Sequence, residues 1–316
     1  MRFLLAGGAG DVGTYLAEFL AARGHETIVF DRSSAAGKMA QPKERVIFVS
    51  GDLQDREAVK AAVSGADVVV NLAWSFSDDA VQVFREDILG HINLLEAAAA
   101  AKVKKFIYAS TATVYGAPQA ELVTEEHPCL FHAARKPLYA LGKRTAEELC
   151  SFYRLEKGLP YIVLRFWWAF GDSIGGKNLR QMIRTALRGE PVKVAVGAGG
   201  TFVTMEDVGR FILSAAGNER ASSGIYNIGS LFLTWSEIAA MIIKEMDSRS
   251  QLRELPAEGW DGPAFLGERW RLSWENAEKD IGYRPARSET EAREAFKQAL
   301  SRCIEEVRNA EKQGAR

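Results

Sequence analysis

Short apolar runs alternate with segments of helical periodicity along the first half of the chain. One run, Asp67–Ala73, is apolar on both faces, which is typical of a strand buried in a parallel sheet. Between such runs, apolar residues recur at helical spacing, as do Val12, Leu16, Phe19 and Leu20. Strands and helices that alternate in this way predict a parallel, doubly wound α/β sheet.

The bounds of these elements follow from the runs and from the glycines and prolines between them. The predicted strands are Arg2–Ala6, Thr27–Phe30, Val46–Val49, Asp67–Ala73, Lys105–Ser110, Tyr161–Phe166 and Gly224–Ile228. The predicted helices are Val12–Arg23, Arg56–Val63, Val81–Ala101, Pro137–Lys157, Leu179–Leu187, Glu206–Ala216 and Ser236–Lys244, with a charged helix from Glu289 onwards. The segment Trp260–Trp274, rich in Gly, Pro and Trp, predicts a loop.

Composition places the chain among ordinary globular proteins. It has 316 residues, 47% hydrophobic and 26% charged, with a net charge of −1. These values exclude a disordered chain and provide no basic field for binding nucleic acid or a membrane surface. No uncharged apolar stretch reaches the roughly 18 residues of a membrane-spanning helix. The three cysteines and four histidines form no disulfide or metal pattern, so we expect no metal and a cytoplasmic, reducing environment.

A glycine-rich turn joins the first predicted strand to the first predicted helix. It reads Gly7-Gly8-Ala9-Gly10-Asp11-Val12-Gly13, a G-x-x-G-x-x-G spacing. Glycine permits a tight turn and a close backbone approach, and the helix N-terminus then faces a pyrophosphate. Such a motif alone is weak evidence and could be an ordinary turn, but its place between a strand and a helix favours dinucleotide binding.

Acidic residues follow the next two predicted strands. Asp31 can accept hydrogen bonds from both adenosine ribose hydroxyls and would repel a 2′-phosphate, which favours NAD over NADP. Arg32 weakens that preference because an arginine could cover the 2′-phosphate, and Asp31 could also simply cap a loop. Asp52 could bind the adenine amino group while Leu53 packs on the ring, although Asp52 is equally a helix N-cap.

Two further constellations lie in the middle of the chain. The first is Ser110–Gly116, which follows a predicted strand. The second is the pair Tyr139 and Lys143, which share one face of the helix Pro137–Lys157 because they are four residues apart. In isolation this pair is equally a half-buried aromatic residue beside an exposed lysine.

Together these motifs resemble the extended short-chain dehydrogenase/reductase superfamily, in its NAD-dependent epimerase/dehydratase branch. The resemblance runs almost end to end. Besides the motifs above, it is carried by Asn71–Ala73, Asn93–Ala98, Leu164–Phe166, Phe202–Val208, Tyr226–Gly229 and Ile281–Pro285.

The resemblance implies a mechanism. Tyr139 would remove the proton of a substrate hydroxyl while hydride leaves the same carbon, and Lys143 would lower the pKa of Tyr139 and hold the nicotinamide ribose. Thr111 would bind the reacting oxygen. The implied NAD contacts are Gly7, Gly10, Asp11, Val12, Gly13, Asp31, Arg32, Asp52, Leu53, Leu72, Ala73, Ser110, Tyr139, Lys143 and Phe166. The implied substrate contacts are Trp74, Thr113, Trp168, Lys177, Asn178, Phe202 and Arg269.

The resemblance also exposes departures from members that act on nucleotide sugars. Where those members carry residues that clamp the diphosphate and its nucleoside, this chain has Trp168 for an Asn, and Gly199–Thr201 and Phe265–Glu268 where arginines are common. Candidate replacements are Lys177, Asn178, Arg180, Arg269 and Arg271. Trp74 and Trp168 could line the pocket, whereas Trp167 could equally belong to the core.

Three functions therefore remain. The first is an epimerase or dehydratase that oxidises a sugar hydroxyl, in the family usually of a nucleotide sugar, with NAD. The second is a net dehydrogenase or reductase of a free sugar, sugar acid or apolar alcohol. The third, a non-catalytic NAD-binding protein, conflicts with the intact Thr111, Tyr139 and Lys143.

The resemblance implies a domain organisation and an assembly as well. We expect a Rossmann-type NAD-binding domain of residues 1–170 and 201–228, and a smaller α+β substrate-binding lobe of residues 171–200 and 229–316. The family commonly dimerises through two helices per subunit, here Val81–Ala101 and Pro137–Lys157. We expect a homodimer, in which Ala97–Ala101 offers a small-residue surface unless the sheet buries it.

Overall fold

A computed structural model describes residues 1–32, 34, 44–218 and 223–314 of the chain. Its strands are β1 Arg2–Ala6, β2 Glu26–Asp31, β3 Val46–Ser50, β4 Val68–Asn71, β5 Lys105–Ala109, β6 Tyr161–Arg165, β7 Trp168–Phe170, β8 Val192–Ala195, β9 Gly199–Thr204, β10 Ser223–Asn227, β11 Leu231–Thr234, β12 Leu252–Leu255 and β13 Arg269–Trp270. Its α-helices are α1 Asp11–Ala21, α2 Arg56–Val63, α3 Ala80–Gln82, α4 Leu89–Ala100, α5 Pro137–Lys157, α6 Lys177–Leu187, α7 Met205–Gly217, α8 Trp235–Glu245 and α9 Glu289–Gly314.

Seven strands form one parallel sheet in the order β10-β6-β5-β4-β1-β2-β3. The order reverses between β1 and β4, and in open α/β sheets ligands bind at the carboxyl ends of the strands at such a switch point. The predicted doubly wound α/β sheet is confirmed. The buried runs explain it, since β1 and β4 are apolar on both faces and are covered on both.

Helices cover both faces of this sheet. Helices α1 and α7 pack on one face, with Leu16 and Phe211 in a common core, and α2, α4 and α5 pack on the other, with Leu94 and Ala146. The predicted helix Val81–Ala101 is one continuous helical segment, in which a π-helical turn, Val83–Ile88, separates α3 from α4.

A smaller unit is built around a second sheet. Strands β11, β9 and β13 form its path, β7 also pairs with β9, and β8 pairs with β12 separately. Helices α6, α8 and α9 share its core, to which Met182, Trp235 and Phe296 belong. Strands β7 and β9 pair with each other here, so residues 168–170 and 199–204 lie outside the seven-stranded sheet, although helix α7 and strand β10 return to it.

The segment Trp260–Trp274 is more ordered than the predicted loop. It contains a short 3₁₀-helix, Ala264–Leu266, and strand β13. Trp270 is buried in it, and Val123 forms an isolated bridge with Leu272. The loop prediction was wrong for Ala264–Leu266 and Arg269–Trp270. Elements of two or three residues are too short to show a periodic pattern of apolar positions.

Helix α5 carries the pair that the sequence singled out. Pro137 stands in its first turn, and Gly158, at φ +71°, ends it in the left-handed conformation that favours glycine. Its buried residues recur three and four positions apart and include Lys143 and Glu147. This face lies toward the sheet, which brings both charged groups into the interior.

Within the residues that the structure describes, no helix is long and apolar enough to cross a membrane. The same residues contain no group of three or more His, Cys, Asp or Glu side chains that could hold a metal ion.

Candidate active site

The glycine loop packs more closely than any side chain would allow. Gly7 has φ +71°, and a Cβ on it would lie 2.5 Å from the Cα of Ala73. A Cβ on Gly13 would lie 2.5 Å from the Cα of Gly8. Gly10 caps α1 with no side-chain hydrogen bond, and a Cβ there would meet only the carbonyl oxygen of Gly7 at 3.5 Å. The backbone at the start of α1 is thereby left accessible to a phosphate group.

Asp31 lies beside this loop at the end of β2. Its Oδ2 accepts a hydrogen bond from the Ala9 amide at 3.0 Å, and its Oδ1 accepts one from the Arg32 amide at 2.8 Å. A carboxylate has about four acceptor positions, so each oxygen can accept a further bond from a ribose hydroxyl. The side chain of Arg32 is exposed at the rim.

A cavity of about 340 Å³ opens between the glycine loop and the ends of β2, β3 and β4. Its lining includes most of the predicted cofactor contacts, namely Gly7, Gly10, Asp31, Arg32, Asp52, Leu53, Leu72 and Ala73. Asp11 is exposed at the start of α1, and Val12, Gly13 and Phe166 lie outside this lining. A close-packed glycine turn, an acceptor at the end of β2 and an adjoining cavity fit a dinucleotide.

Asp52 was also open to interpretation as a helix N-cap. The structure gives that role to Asp55, whose carboxylate accepts bonds from the amides of Glu57 and Ala58. Asp52 instead accepts a bond from the Gln54 amide at 2.9 Å within the turn. It therefore remains at the cavity wall, where the adenine contact was predicted.

Tyr139 and Thr111 meet at the carboxyl edge of the sheet. Thr111 directly follows Ser110 at the end of β5, and its hydroxyl contacts Thr113 Oγ1 at 3.0 Å. Burial raises the pKa of Tyr139 to about 12, while a hydrogen bond from the Thr111 side chain lowers it and the charge of Asp87 raises it. The predicted catalytic pair is thus adjacent in space, as the resemblance implied.

Lys143 is buried beside them. Its Nζ donates a hydrogen bond to the carbonyl oxygen of Ala109 at 2.9 Å. Burial lowers the pKa of Lys143 to about 7, although the charges of Asp87 and Glu147 raise it. Since an ammonium group has three donors, two remain available to a ribose.

An aromatic segment that the sequence analysis only partly identified covers this region. Trp74 meets the Tyr139 ring edge-on at a centroid distance of 5.7 Å, and Phe76 stacks on the same ring at 5.8 Å. Phe76 has φ +57° and is 68% exposed, a costly backbone conformation for a bulky residue. Strain of this kind is typical of functional segments.

Asp87 holds the segment that contains Trp74 and Phe76 through two hydrogen bonds from Ser75. Its Oδ1 accepts a bond from the Ser75 amide and its Oδ2 one from the Ser75 hydroxyl, both at 2.7 Å. Burial raises the pKa of Asp87, whereas its bonds to Ser75 lower it. The sequence analysis missed Ser75, Phe76 and Asp87, because neither a π-helical turn nor a left-handed phenylalanine has a readable pattern.

Ser110, predicted to contact the cofactor, has its hydroxyl engaged elsewhere. The hydroxyl donates to Glu147 at 2.5 Å in the interior. Its side chain therefore belongs to the packing between β5 and α5.

The predicted substrate contacts fall into different environments. The Phe202 side chain is fully buried in the core of the smaller unit, so its predicted substrate contact is wrong for the side chain. Arg269 donates to the Gly197 carbonyl at 3.1 Å and lies over the Phe232 ring. Lys177 and Asn178 form the first turn of α6, where Lys177 is exposed.

The two consecutive tryptophans fill space that glycines leave. A Cβ on Gly200 would lie 2.1 Å from the Trp167 ring, and one on Gly176 would lie 2.3 Å from the Trp168 ring. Trp167 also stacks on Phe265, with a centroid distance of 5.3 Å and an angle of 10°. The ring of Trp168 thus stands at one of the polar positions that the resemblance led us to expect, with the Trp167 ring packed beside it.

Comparison with known proteins identifies the family to which this chain belongs. The sequence profile of the family described as "NAD dependent epimerase/dehydratase family" matches residues 3–229. A UDP-N-acetyl-alpha-D-glucosaminuronate decarboxylase from Bacillus cytotoxicus is 30% identical over 274 residues, covering 81% of this chain and 84% of that protein.

Solved structures give the same result. The UDP-glucose 4-epimerase of Thermus thermophilus, in complex with NAD, is 27% identical with a TM-score of 0.73, covering 98% of this chain and all of the other. The UDP-glucose 4-epimerase of Thermotoga maritima, solved with UDP-glucose, has a TM-score of 0.75 at 24% identity, covering 98% of this chain and 99% of the other, and shows the fold. The predicted fold, enzyme class and NAD dependence are confirmed, and the chain belongs to the NAD-dependent epimerase/dehydratase family of extended short-chain dehydrogenases/reductases.

Proposed function

We propose that this protein oxidises a hydroxyl group of a nucleotide-linked sugar by Tyr139-assisted hydride transfer to NAD. The observation that carries the proposal is the meeting of Tyr139, Thr111 and Lys143 at the sheet edge beside the glycine-loop cavity. Relatives support the substrate class, since a decarboxylase and several epimerases among them are named for UDP-sugars. The smaller unit would hold the substrate.

Tyr139, Thr111 and Lys143 have different roles in the proposed reaction. NAD, when bound, supplies the hydride acceptor. Tyr139 Oη takes the proton of the substrate hydroxyl as the C–H bond of the same carbon breaks, which leaves a carbonyl group on the sugar. Thr111 holds the reacting oxygen, and the Lys143 ammonium stabilises the tyrosinate and binds the nicotinamide ribose.

The pKa of Tyr139 in the free protein must fall before this residue can accept a proton at neutral pH. Burial holds the pKa of Tyr139 at about 12, too high for a base at neutral pH. Both a protonated Lys143 and the positive charge of oxidised nicotinamide lower the pKa of Tyr139. We therefore expect Tyr139 to act as a base only when NAD is bound.

Substitution of Tyr139 tests the proposal. Tyr139→Phe removes the proton acceptor and keeps the ring, so turnover should fall by about 10²- to 10⁴-fold while NAD binding persists. Activity is measured by proton NMR on a panel of UDP- and dTDP-sugars, and NAD binding by calorimetry. Turnover of Tyr139→Phe at the wild-type rate would contradict the proposed role of Tyr139. A wild type that binds NAD but turns over none of the sugars would favour a non-catalytic NAD-binding protein.

A second candidate is a net dehydrogenase of a free sugar, sugar acid or apolar alcohol. The observation that favours it is Trp168, which stands where nucleotide-sugar members carry an Asn and whose ring packs against Trp167 and Phe265. Nucleotide released from the purified, denatured protein separates the two. Stoichiometric NAD that survives dialysis supports the epimerase-type enzyme, whereas an empty site and net NADH formation support the dehydrogenase.

We also propose a homodimer. Ala97 and Ala98 are buried in the interior, whereas Ala99 is partly buried and Ala100 and Ala101 are exposed, so only the end of the predicted small-residue surface is available. Exposed apolar side chains lie instead on the outer faces of the helical segment 80–100 and of α5: Val81, Phe84, Leu89, Phe152 and Leu155. We further propose a cytoplasmic location, on the ground given above that the three cysteines are odd in number and widely spaced.

A further inference from the structure

Glu147 is a buried carboxylate on α5 to which the proposed mechanism gives no role. It is 1% exposed and accepts four hydrogen bonds from three elements. The donors are the Ser110 hydroxyl at 2.5 Å, Arg165 Nε at 2.9 Å and Nη2 at 2.5 Å, and Arg144 Nη1 at 3.0 Å. Ser110 directly follows β5, and Arg165 is the last residue of β6. The carboxylate therefore joins α5 to the ends of two strands.

The position of Glu147 relates it to the catalytic residues. It lies four residues after Lys143 and eight after Tyr139, and residues spaced in this way share a helix face. Its partner Ser110 directly precedes Thr111 in the chain. One hydrogen bond, from Ser110 to Glu147, therefore links the helix that carries Tyr139 to the residue next to Thr111.

Arg165 makes this link rigid. Its guanidinium forms a two-pronged contact with Glu147 and lies over the Tyr115 ring, 4.7 Å from the centroid. The Tyr115 hydroxyl in turn donates to Asn227 at 2.7 Å, at the end of β10. The carboxylate is thus held from the sheet side as well as by the helix, which leaves it little freedom to follow a movement of either.

We propose that Glu147 is a positioning residue that keeps Thr111 in register with Tyr139 by holding Ser110. The proposal rests on the function proposed above, in which Thr111 and Tyr139 act on the same substrate oxygen. A small displacement of such groups is sufficient to slow a reaction, since a shift of about 1 Å can cost about 10²-fold in rate.

Ser110→Ala is the decisive variant, because Glu147→Gln would leave the Arg165 charge buried and unpaired and could unfold the protein. The matched control is Ser230→Ala. Ser230 is a buried serine that donates to the buried carboxylate of Asp207 at 2.5 Å, on another part of the sheet edge. Both variants remove one serine–carboxylate bond, and Ser230→Ala also removes the bond that Ser230 Oγ accepts from the Thr204 amide at 2.9 Å. Ser230→Ala should therefore lose at least as much thermal stability as Ser110→Ala.

The two variants should differ in kcat. We expect Ser110→Ala to lower kcat about 10-fold without changing the affinity for NAD, and Ser230→Ala to keep the wild-type kcat. An unchanged kcat in Ser110→Ala, or an equal loss in both variants, would overturn the proposal.

A second readout needs no substrate. Tyrosines are labelled with ¹³C at Cζ, and the Tyr139 signal is assigned by its absence in Tyr139→Phe. The signal should shift in Ser110→Ala, because the hydrogen bond from Thr111 changes, and should stay in place in Ser230→Ala. An unmoved signal in Ser110→Ala overturns the positioning role. A moved signal in a protein that turns over no sugar supports the role and rejects the proposed function instead.

Discussion

The indole ring of Trp74 covers the ammonium group of Lys143, with Nζ 4.4 Å from the ring centroid. The same ring fits against Gly142, where a Cβ would come within 2.8 Å of it. Trp74 also lines the cavity beside the glycine loop, whereas Lys143 does not. The indole therefore shields the ammonium group from this cavity, whose wall holds the residues predicted for the adenosine half of the cofactor, Asp31 and Asp52. It also contributes to the burial that lowers the pKa of Lys143.

Trp74→Ala should raise the pKa of Lys143. Removal of the indole admits water to the ammonium group, and we expect its titration midpoint to move up from about 7 by about one pH unit, because desolvation is the main cause of the low value. The measurement is a pH titration of ¹³Cε-labelled lysine, with the Lys143 signal assigned by Lys143→Met. Trp168→Ala is the control for loss of an indole elsewhere, and an equal midpoint in Trp74→Ala and wild type would contradict the prediction.

The same low pKa predicts how stability depends on pH. Between pH 7 and 10.5 the unfolded chain binds a proton at Lys143 that the folded chain does not, so the free energy of unfolding rises with pH. Below pH 7 both states are protonated and the destabilisation is complete. Relative to Lys143→Met, the wild type should gain up to about 1.4 kcal/mol per pH unit in this window. Urea unfolding at constant ionic strength measures the free energy of unfolding of both proteins at each pH. Parallel plots of this free energy against pH for the two proteins would contradict the prediction.

The sequence was sufficient for the large sheet because its central strands β1, β4, β5 and β6 are buried on both faces and its helices have clear ends. Helix α5 begins and ends where Pro137 and Gly158 predicted. Tyr139 and Thr111 could be paired because the family resemblance supplied what periodicity could not.

The rest depended on contacts between distant residues. Strands β8 and β12 are four residues each and pair across a long separation, so neither has a local signature. The bonds from Ser75 to Asp87 and from Ser110 to Glu147 arise only once the helices are packed on the sheet. Aspartate and glutamate in a helix otherwise predict a solvated face, which is why both were missed.

Asp31 should determine the choice between NAD and NADP. Asp31→Asn keeps the side-chain size and removes the charge that opposes a 2′-phosphate, while Arg32 stays exposed at the rim. The ratio of NADPH to NADH affinity should rise by about 10-fold, equivalent to about 1.4 kcal/mol. Fluorescence titration with both nucleotides measures this ratio, with Asp52→Asn as the control on the same cavity wall. A wild-type protein that prefers NADPH would show that Asp31 does not have this role.

Leu155 should be required for the proposed dimer. It is 80% exposed on α5, so Leu155→Glu costs the folded monomer little but would bury a charge in an interface formed by two copies of these helices. Sedimentation velocity at micromolar concentration should show a dimer for the wild type and a monomer for Leu155→Glu. Val196→Glu, at a residue 55% exposed on the smaller unit, is the matched control and should remain dimeric. A monomeric wild type, or a dimeric Leu155→Glu, would mean that this apolar face does not join two subunits.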